Sequence, residues 1–171
     1  MDLARHIRQI PDFPKPGILF YDISTLLANA EAWREAVDRM AEATAAQAPT
    51  LLAGIESRGF IFAAPVAARL GLGWVMVRKV GKLPGAVISH SYDLEYGSDT
   101  LQIAEGIVPP GARVVLIDDL IATGGTAHAS IELLRKVQAE PVGAVFLIEL
   151  EGLDGVARLG VPAVSLLRCP S

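Results

Sequence analysis

Five short apolar runs punctuate the chain, at residues 51–55, 74–77, 114–117, 142–150 and 164–167. They are rich in Val, Ile and Leu and lack the polar alternation of a half-exposed strand. That is the pattern of parallel strands buried on both faces. Helical periodicity fills the intervals. Residues 30–47 place Trp33, Val37, Met40 and Thr44 along one stripe, with Asn29 as the cap and Glu31 in the first turn. Residues 60–70 form a second helix closed by Gly71, and residues 127–137 a third with Ile131, Leu134 and Val137 on one face. Short helices are read at residues 2–10, stopped by Pro11, and at 153–159. Residues 88–94 and 100–103 suggest a hairpin around Tyr96, Gly97, Ser98 and Asp99. The order predicts an α/β fold: a five-stranded, mostly parallel sheet flanked by helices.

Two stretches escape this periodicity. Residues 11–17 hold three prolines and a glycine, which excludes a central strand or a helix, yet Ile18, Leu19 and Phe20 follow at once and need cover. The segment is read as a rigid loop presenting an aromatic ring and backbone polar groups to a flat ligand. Residues 78–85 combine Arg78, Lys79 and Lys82 with Gly81, Pro84 and Gly85, a basic loop with hinge residues.

Composition narrows the classes. The chain has 171 residues, half of them hydrophobic (51%), enough for one domain with a real core. A formal net charge of −4 argues against broad nucleic-acid or anionic-membrane binding, so any polyanion must meet local positive groups. Cys169 stands alone, excluding an internal disulfide, and His6, His90 and His128 are scattered without zinc-ligand spacing. The apolar window 60–77 is broken by Pro65, Arg69, Gly71 and Gly73, so a buried helix and strand are expected there rather than a membrane span. The first residues lack the apolar core of a signal peptide, and a cytoplasmic location is expected.

Chemistry concentrates where apolar runs end. After residues 114–117 come Asp118 and Asp119, then Ala122, Thr123, Gly124, Gly125 and Thr126 opening a helix. A glycine and hydroxyl loop at a helix start is an anion site, built from outward N–H groups and the helix dipole. No Walker A lysine follows and no GxGxxG is present. Paired carboxylates just upstream suit a ligand with sugar hydroxyls about one ribose away from its phosphate. A second polar turn, Glu56, Ser57, Arg58 and Gly59, follows residues 51–55, and Arg58 offers a bidentate donor for phosphate oxygens.

The run VVLIDDLIATGGT resembles the phosphoribosyl-pyrophosphate (PRPP) signature of the type I phosphoribosyltransferases. ESRGF, PGILFYDIS, RKVGKLPG and YDLEYG, in the same chain, resemble the corresponding segments of the adenine phosphoribosyltransferases. The resemblance extends over most of the chain. It implies the type I fold as one domain over residues 1–171, with an N-terminal hood at 1–28 and a flexible loop and hairpin at 79–104. It implies transfer of ribose 5-phosphate from PRPP to adenine with Mg²⁺ held mainly by substrate oxygens and water, in a homodimer. Asp118 and Asp119 would face the ribose, and Ala122, Thr123, Gly124, Gly125 and Thr126 the 5-phosphate. Ser57, Arg58, Arg78, Lys79 and Lys82 would face pyrophosphate. Phe20 would stack on the base, with the backbone of Leu19 and Tyr21 reading its edge. Glu95, beside Tyr96, would handle the proton. The peptide before Ser57 would be cis. The chain departs from the family at Tyr21, where Arg or Lys is usual, and at Gly85, Ala86 and His90. Two rival readings remain at this stage: a 6-oxopurine phosphoribosyltransferase and a PRPP-binding regulator without turnover.

Overall fold

The computed structural model describes residues 1–94 and 96–171. Its centre is a seven-stranded sheet. The described residues form nine strands and four α-helices. A two-stranded antiparallel ribbon of β1 (Arg8–Pro11) and β2 (Leu19–Asp22) precedes α1 (Ser24–Leu27) and α2 (Ala30–Ala45). Then come β3 (Leu51–Ile55), α3 (Arg58–Leu70), β4 (Gly73–Lys79) and a hairpin of β5 (Val87–Leu94) and β6 (Gly97–Ala104). The chain continues with β7 (Arg113–Ile121), α4 (Gly125–Lys136), β8 (Glu140–Leu150) and β9 (Ala163–Cys169). Across the large sheet the order is β5-β6-β4-β3-β7-β8-β9. The five strands expected from the apolar runs are the parallel ones, and the hairpin adds two antiparallel strands at one edge.

The sheet is covered on both sides, as the uninterrupted apolar runs require. Successive side chains of β7 point to opposite faces. Val115 and Ile117 join the core under α2, α3 and the hood, while Val114 and Leu116 join the core under α4. The buried face of α2 includes Val37, Met40 and Thr44, and the Asn29 side chain accepts from Ala32 N–H at 2.9 Å. Gly71 ends α3 in the left-handed conformation, φ 67°. Because β3, β4 and β7 run parallel, their carboxyl ends open on one edge, where ligands of such sheets bind. No helix among the described residues is long and apolar enough to cross a membrane.

Local expectations fail in four places. The expected N-terminal helix is one 3₁₀ turn, Leu3–His6, because residues 8–11 leave it to pair with β2. Residues 19–22, expected within a loop, supply that partner strand, a long-range pairing invisible to local periodicity. Residues 153–159 hold only the short 3₁₀ turn Val156–Arg158. The hairpin turns earlier than expected. Leu94 faces Gly97 across the strands, which puts Asp99 in β6 opposite Tyr92.

Candidate active site

Two helix starts meet the edge where β3 and β7 end. Neither α3 nor α4 has a side-chain cap or an acid in its first turn, in contrast to α2. Helix N-termini left in this way direct unsatisfied N–H groups and partial positive charge outward. Both line one cleft of about 430 Å³, with Ser57, Arg58, Lys79, Asp118, Asp119 and the loop from Ala122 to Thr126 on its walls. The Glu56-Ser57 peptide is cis, as the resemblance implies.

The acid pair sits at the exit of β7. Asp119 is 5% exposed, and its Oδ2 accepts from Arg58 Nε at 2.6 Å. Asp118 has no such cation; its Oδ1 accepts from the Asp119 N–H at 2.9 Å. Burial first, and then the charge of Asp119, push the Asp118 carboxyl well above its ordinary range. Helix α3 approaches this strand closely. A Cβ at position 59 would lie 2.8 Å from Ile117 O and 2.9 Å from Asp118 Oδ1, so only glycine fits. Burial and the neighbouring Asp119 therefore disfavour a charge on Asp118.

The loop at residues 122–126 is held from behind. Gly124 adopts φ 79°, and a Cβ there would lie 2.4 Å from Gly155 O. Gly155 in turn leaves no room for a Cβ, which would fall 2.2 Å from Ala122 O. Arg158 Nη1 adds a hydrogen bond to Thr123 O at 2.9 Å. These two contacts from residues 155–158 set the loop's height above the sheet, and nothing local in the sequence signalled them.

A second cavity of about 420 Å³ lies under the hood, mostly apolar, with Phe13, Phe20, Leu27 and Ile61 among its walls. Arg58 lines both cavities. Its guanidinium carbon is 5.6 Å from the centroid of Phe20, and Phe13 meets Phe20 edge-on at 5.0 Å. Tyr21 is buried, and its hydroxyl donates to Pro170 O at 2.7 Å. Its side chain thus anchors the carboxyl-terminal segment. Burial, and then the charges of Cys169 and Glu151, raise its phenol above the ordinary 10.0. Leu19 packs on the core rather than lining this cavity.

The basic loop is only partly assembled at the cleft. Lys79 reaches it. Arg78 instead donates to Glu56 Oε2 at 3.2 Å and to Lys82 O at 3.3 Å, over the Phe60 ring. Burial disfavours the charge on Glu56, but the Lys79 N–H and the Arg78 guanidinium outweigh it and hold that carboxyl low. Lys82 is exposed, and Tyr96 is 90% exposed on the hairpin. Glu95 lies outside the described residues. Phe13, Ile61, Tyr92, Gly155 and Arg158 carry no local signal in the sequence, and Asp99 is read there only as a turn residue. Counting back from the Leu94–Gly97 pair sets Tyr92 opposite Asp99.

The matches to known proteins agree with this geometry. A model of the phosphoribosyl transferase domain family matches residues 23–162. An adenine phosphoribosyltransferase of Gluconacetobacter diazotrophicus is 62% identical over 167 residues, 98% of this chain and 95% of the relative. The crystal structure of adenine phosphoribosyltransferase from Thermoanaerobacter pseudethanolicus matches with a TM-score of 0.95 at 45% identity, covering 98% of each chain. That from Saccharomyces cerevisiae, complexed with adenine and D-2,5-dideoxy-2,5-imino-altritol 1,6-bisphosphate, matches at 0.91 and 38% identity over 97% of each chain. With fold, motif order and near full-length identity in agreement, the chain belongs to the adenine phosphoribosyltransferases of the phosphoribosyl transferase domain family.

Proposed function

We propose that the two cavities joined at Arg58 hold PRPP and adenine side by side, and that the protein transfers ribose 5-phosphate between them to give AMP and pyrophosphate. That junction carries the reading. One chamber offers helix N-termini and an acid pair for a phosphorylated sugar, and the other an aromatic, apolar slot for a flat base. The yeast relative, crystallised with adenine and a bisphosphate, supports the same pairing of ligands.

In the reaction, adenine N9 forms a bond to ribose C1 as the C1–O bond to pyrophosphate breaks, and the bonding electrons leave with pyrophosphate. The sugar passes through a cation-like transition state. Asp118 and Asp119 orient the ribose hydroxyls. Burial disfavours a charge on Asp118, and that penalty eases as positive charge grows on the sugar. Ala122, Thr123, Gly124, Gly125 and Thr126 hold the 5-phosphate. Ser57, Arg58 and Lys79 hold pyrophosphate, joined by Arg78 and Lys82 when their loop moves inward over the substrate. Phe20 stacks on adenine, and backbone groups of Leu19 and Tyr21 read its edge. Glu95 handles the proton that adenine releases, near the base's N7, with Tyr96 beside it.

The donor set suits Mg²⁺, a hard ion. Asp118 and Asp119 face the ribose hydroxyls, and substrate oxygens and water would mainly hold the ion. When bound, the ion supplies charge neutralisation at pyrophosphate. The chain acts as one domain, with residues 1–28 covering the base and 79–104 the pyrophosphate. A homodimer follows from the family reading; light scattering at twice 18.1 kDa is the expected result. The unpaired Cys169 supports a cytoplasmic location.

Assaying adenine, hypoxanthine, guanine and xanthine with PRPP and Mg²⁺ tests the proposal. AMP should form far faster than any 6-oxopurine nucleotide. Equal use of hypoxanthine overturns the base assignment, and PRPP binding without turnover of any base points to a regulator.

A further inference from the structure

The hairpin reaches the cleft through one rung that the mechanism above leaves unused. Tyr92 of β5 and Asp99 of β6 are direct cross-strand partners. Asp99 Oδ2 accepts from the Lys79 ammonium, and the Tyr92 hydroxyl lies 3.4 Å from the same oxygen. That hydroxyl is also 3.1 Å from Thr126 Oγ1, in the first turn of α4. A continuous chain, Lys79–Asp99–Tyr92–Thr126, therefore spans the hairpin and joins one pyrophosphate residue to one 5-phosphate residue. We propose that Asp99 and Tyr92 are positioning residues: Asp99 aims the Lys79 ammonium at pyrophosphate, and Tyr92 sets the Thr126 hydroxyl toward the 5-phosphate. The inference rests on the phosphate assignments of the proposed function.

Donor and acceptor counts explain how the rung works. An ammonium has three donors, of which Asp99 engages one, and the Lys79 side chain stays 41% exposed along the cleft wall. Two donors are left for phosphate oxygens. Burial alone would disfavour the Lys79 charge, but the bond to Asp99, and then the nearby Tyr92 oxygen, more than restore it. Phosphate oxygens only accept, so Thr126 must donate its hydroxyl proton to a bound 5-phosphate. Tyr92 can then donate to Thr126 Oγ1, which orients that proton toward the ligand. Asp99 keeps Lys79 as its partner, so no buried group is stranded by the exchange.

A purely structural rung at the sheet edge would make a different prediction. It would lower stability and affect all ligands alike. The test measures Kd for pyrophosphate and for AMP by calorimetry with Mg²⁺ present, and KM for adenine at saturating PRPP, on the full chain. Asp99→Asn should weaken pyrophosphate roughly tenfold, with AMP and the adenine KM changed less than about twofold. Asp99→Glu, which restores the carboxylate, should recover part of the loss. Tyr92→Phe removes one oxygen from a half-buried ring and should weaken AMP several-fold while sparing pyrophosphate. Wild-type affinities in both variants, or equal losses for every ligand, overturn the inference. Lys79→Met and Thr126→Val serve as references. If they leave pyrophosphate and AMP binding unchanged, the phosphate assignments themselves fail; if they weaken binding while the rung variants do not, only the positioning role fails.

Discussion

Replacing Gly155 by Ala isolates the fit between the loop at residues 122–126 and the segment behind it. The backbone at Gly155 has φ −59° and ψ −42°, an ordinary right-handed conformation, so alanine meets no backbone penalty there. The added Cβ would lie 2.2 Å from Ala122 O and 3.0 Å from Ile121 Cγ1. An unstrained carbon–oxygen contact needs about 3.4 Å, so the loop or residues 155–158 must yield by roughly 1 Å. Overpacking of this kind costs about 1–3 kcal/mol. At roughly 2–4 °C per kcal/mol for a chain of this length, Tm should fall by about 2–12 °C. The kinetic effect should be larger, because a displacement near 1 Å costs up to about a hundredfold when it moves positioned groups. Steady-state assays should show KM for PRPP raised, or kcat/KM for PRPP lowered, by roughly ten- to a hundredfold, with the KM for adenine little changed. Gly73→Ala is the control, since a Cβ there finds only Leu51 Cδ1 at an ordinary 3.5 Å. Wild-type PRPP kinetics in Gly155→Ala, or equal defects in both variants, would refute the claim that this contact sets the loop's height.

Asp118→Asn should give a more stable but nearly inactive protein. The Asp118 carboxyl lies well above its ordinary 3.8, so the folded state binds its proton more tightly than the unfolded state, and ionisation opposes folding as pH rises through that interval. In paired thermal melts the Tm advantage of Asp118→Asn should be small near pH 3 and widen as pH rises above the ordinary carboxylate range; a pH-independent gap would contradict the burial argument. Arg58→Met strands Asp119, which is 5% exposed. Because Arg58 itself is 49% exposed, the stability loss in denaturant titrations should be only roughly 1–2 kcal/mol, whereas kcat/KM for PRPP should drop by at least about a hundredfold. Tyr21→Phe removes the bond to Pro170 O and should lower Tm by about 2–4 °C; an unchanged Tm would mean that this anchor contributes nothing.

Much of the scaffold could be read without coordinates because its signals are local. The runs at 51–55 and 114–117 are apolar at every position since both faces of those strands are covered, and the cap at Asn29 and the stop at Gly71 belong to their own helices. The acid pair and the glycine loop were legible for the same reason: strand end, carboxylates and helix start are contiguous in the chain. Tertiary structure decided whatever depends on partners distant in sequence. Periodicity alone did not show that residues 8–11 would leave a helix to pair with residues 19–22, or that the hairpin would set Asp99 against Tyr92. The Tyr21 hydroxyl meets Pro170 across 149 positions, and Gly155 carries no local mark of its contact with Ala122. Backbone periodicity records which face of an element is buried, whereas the choice of neighbour depends on packing and register over the whole chain. The chemical groups were therefore visible in the sequence, and the cleft that brings them within reach of one ligand was a property of the fold.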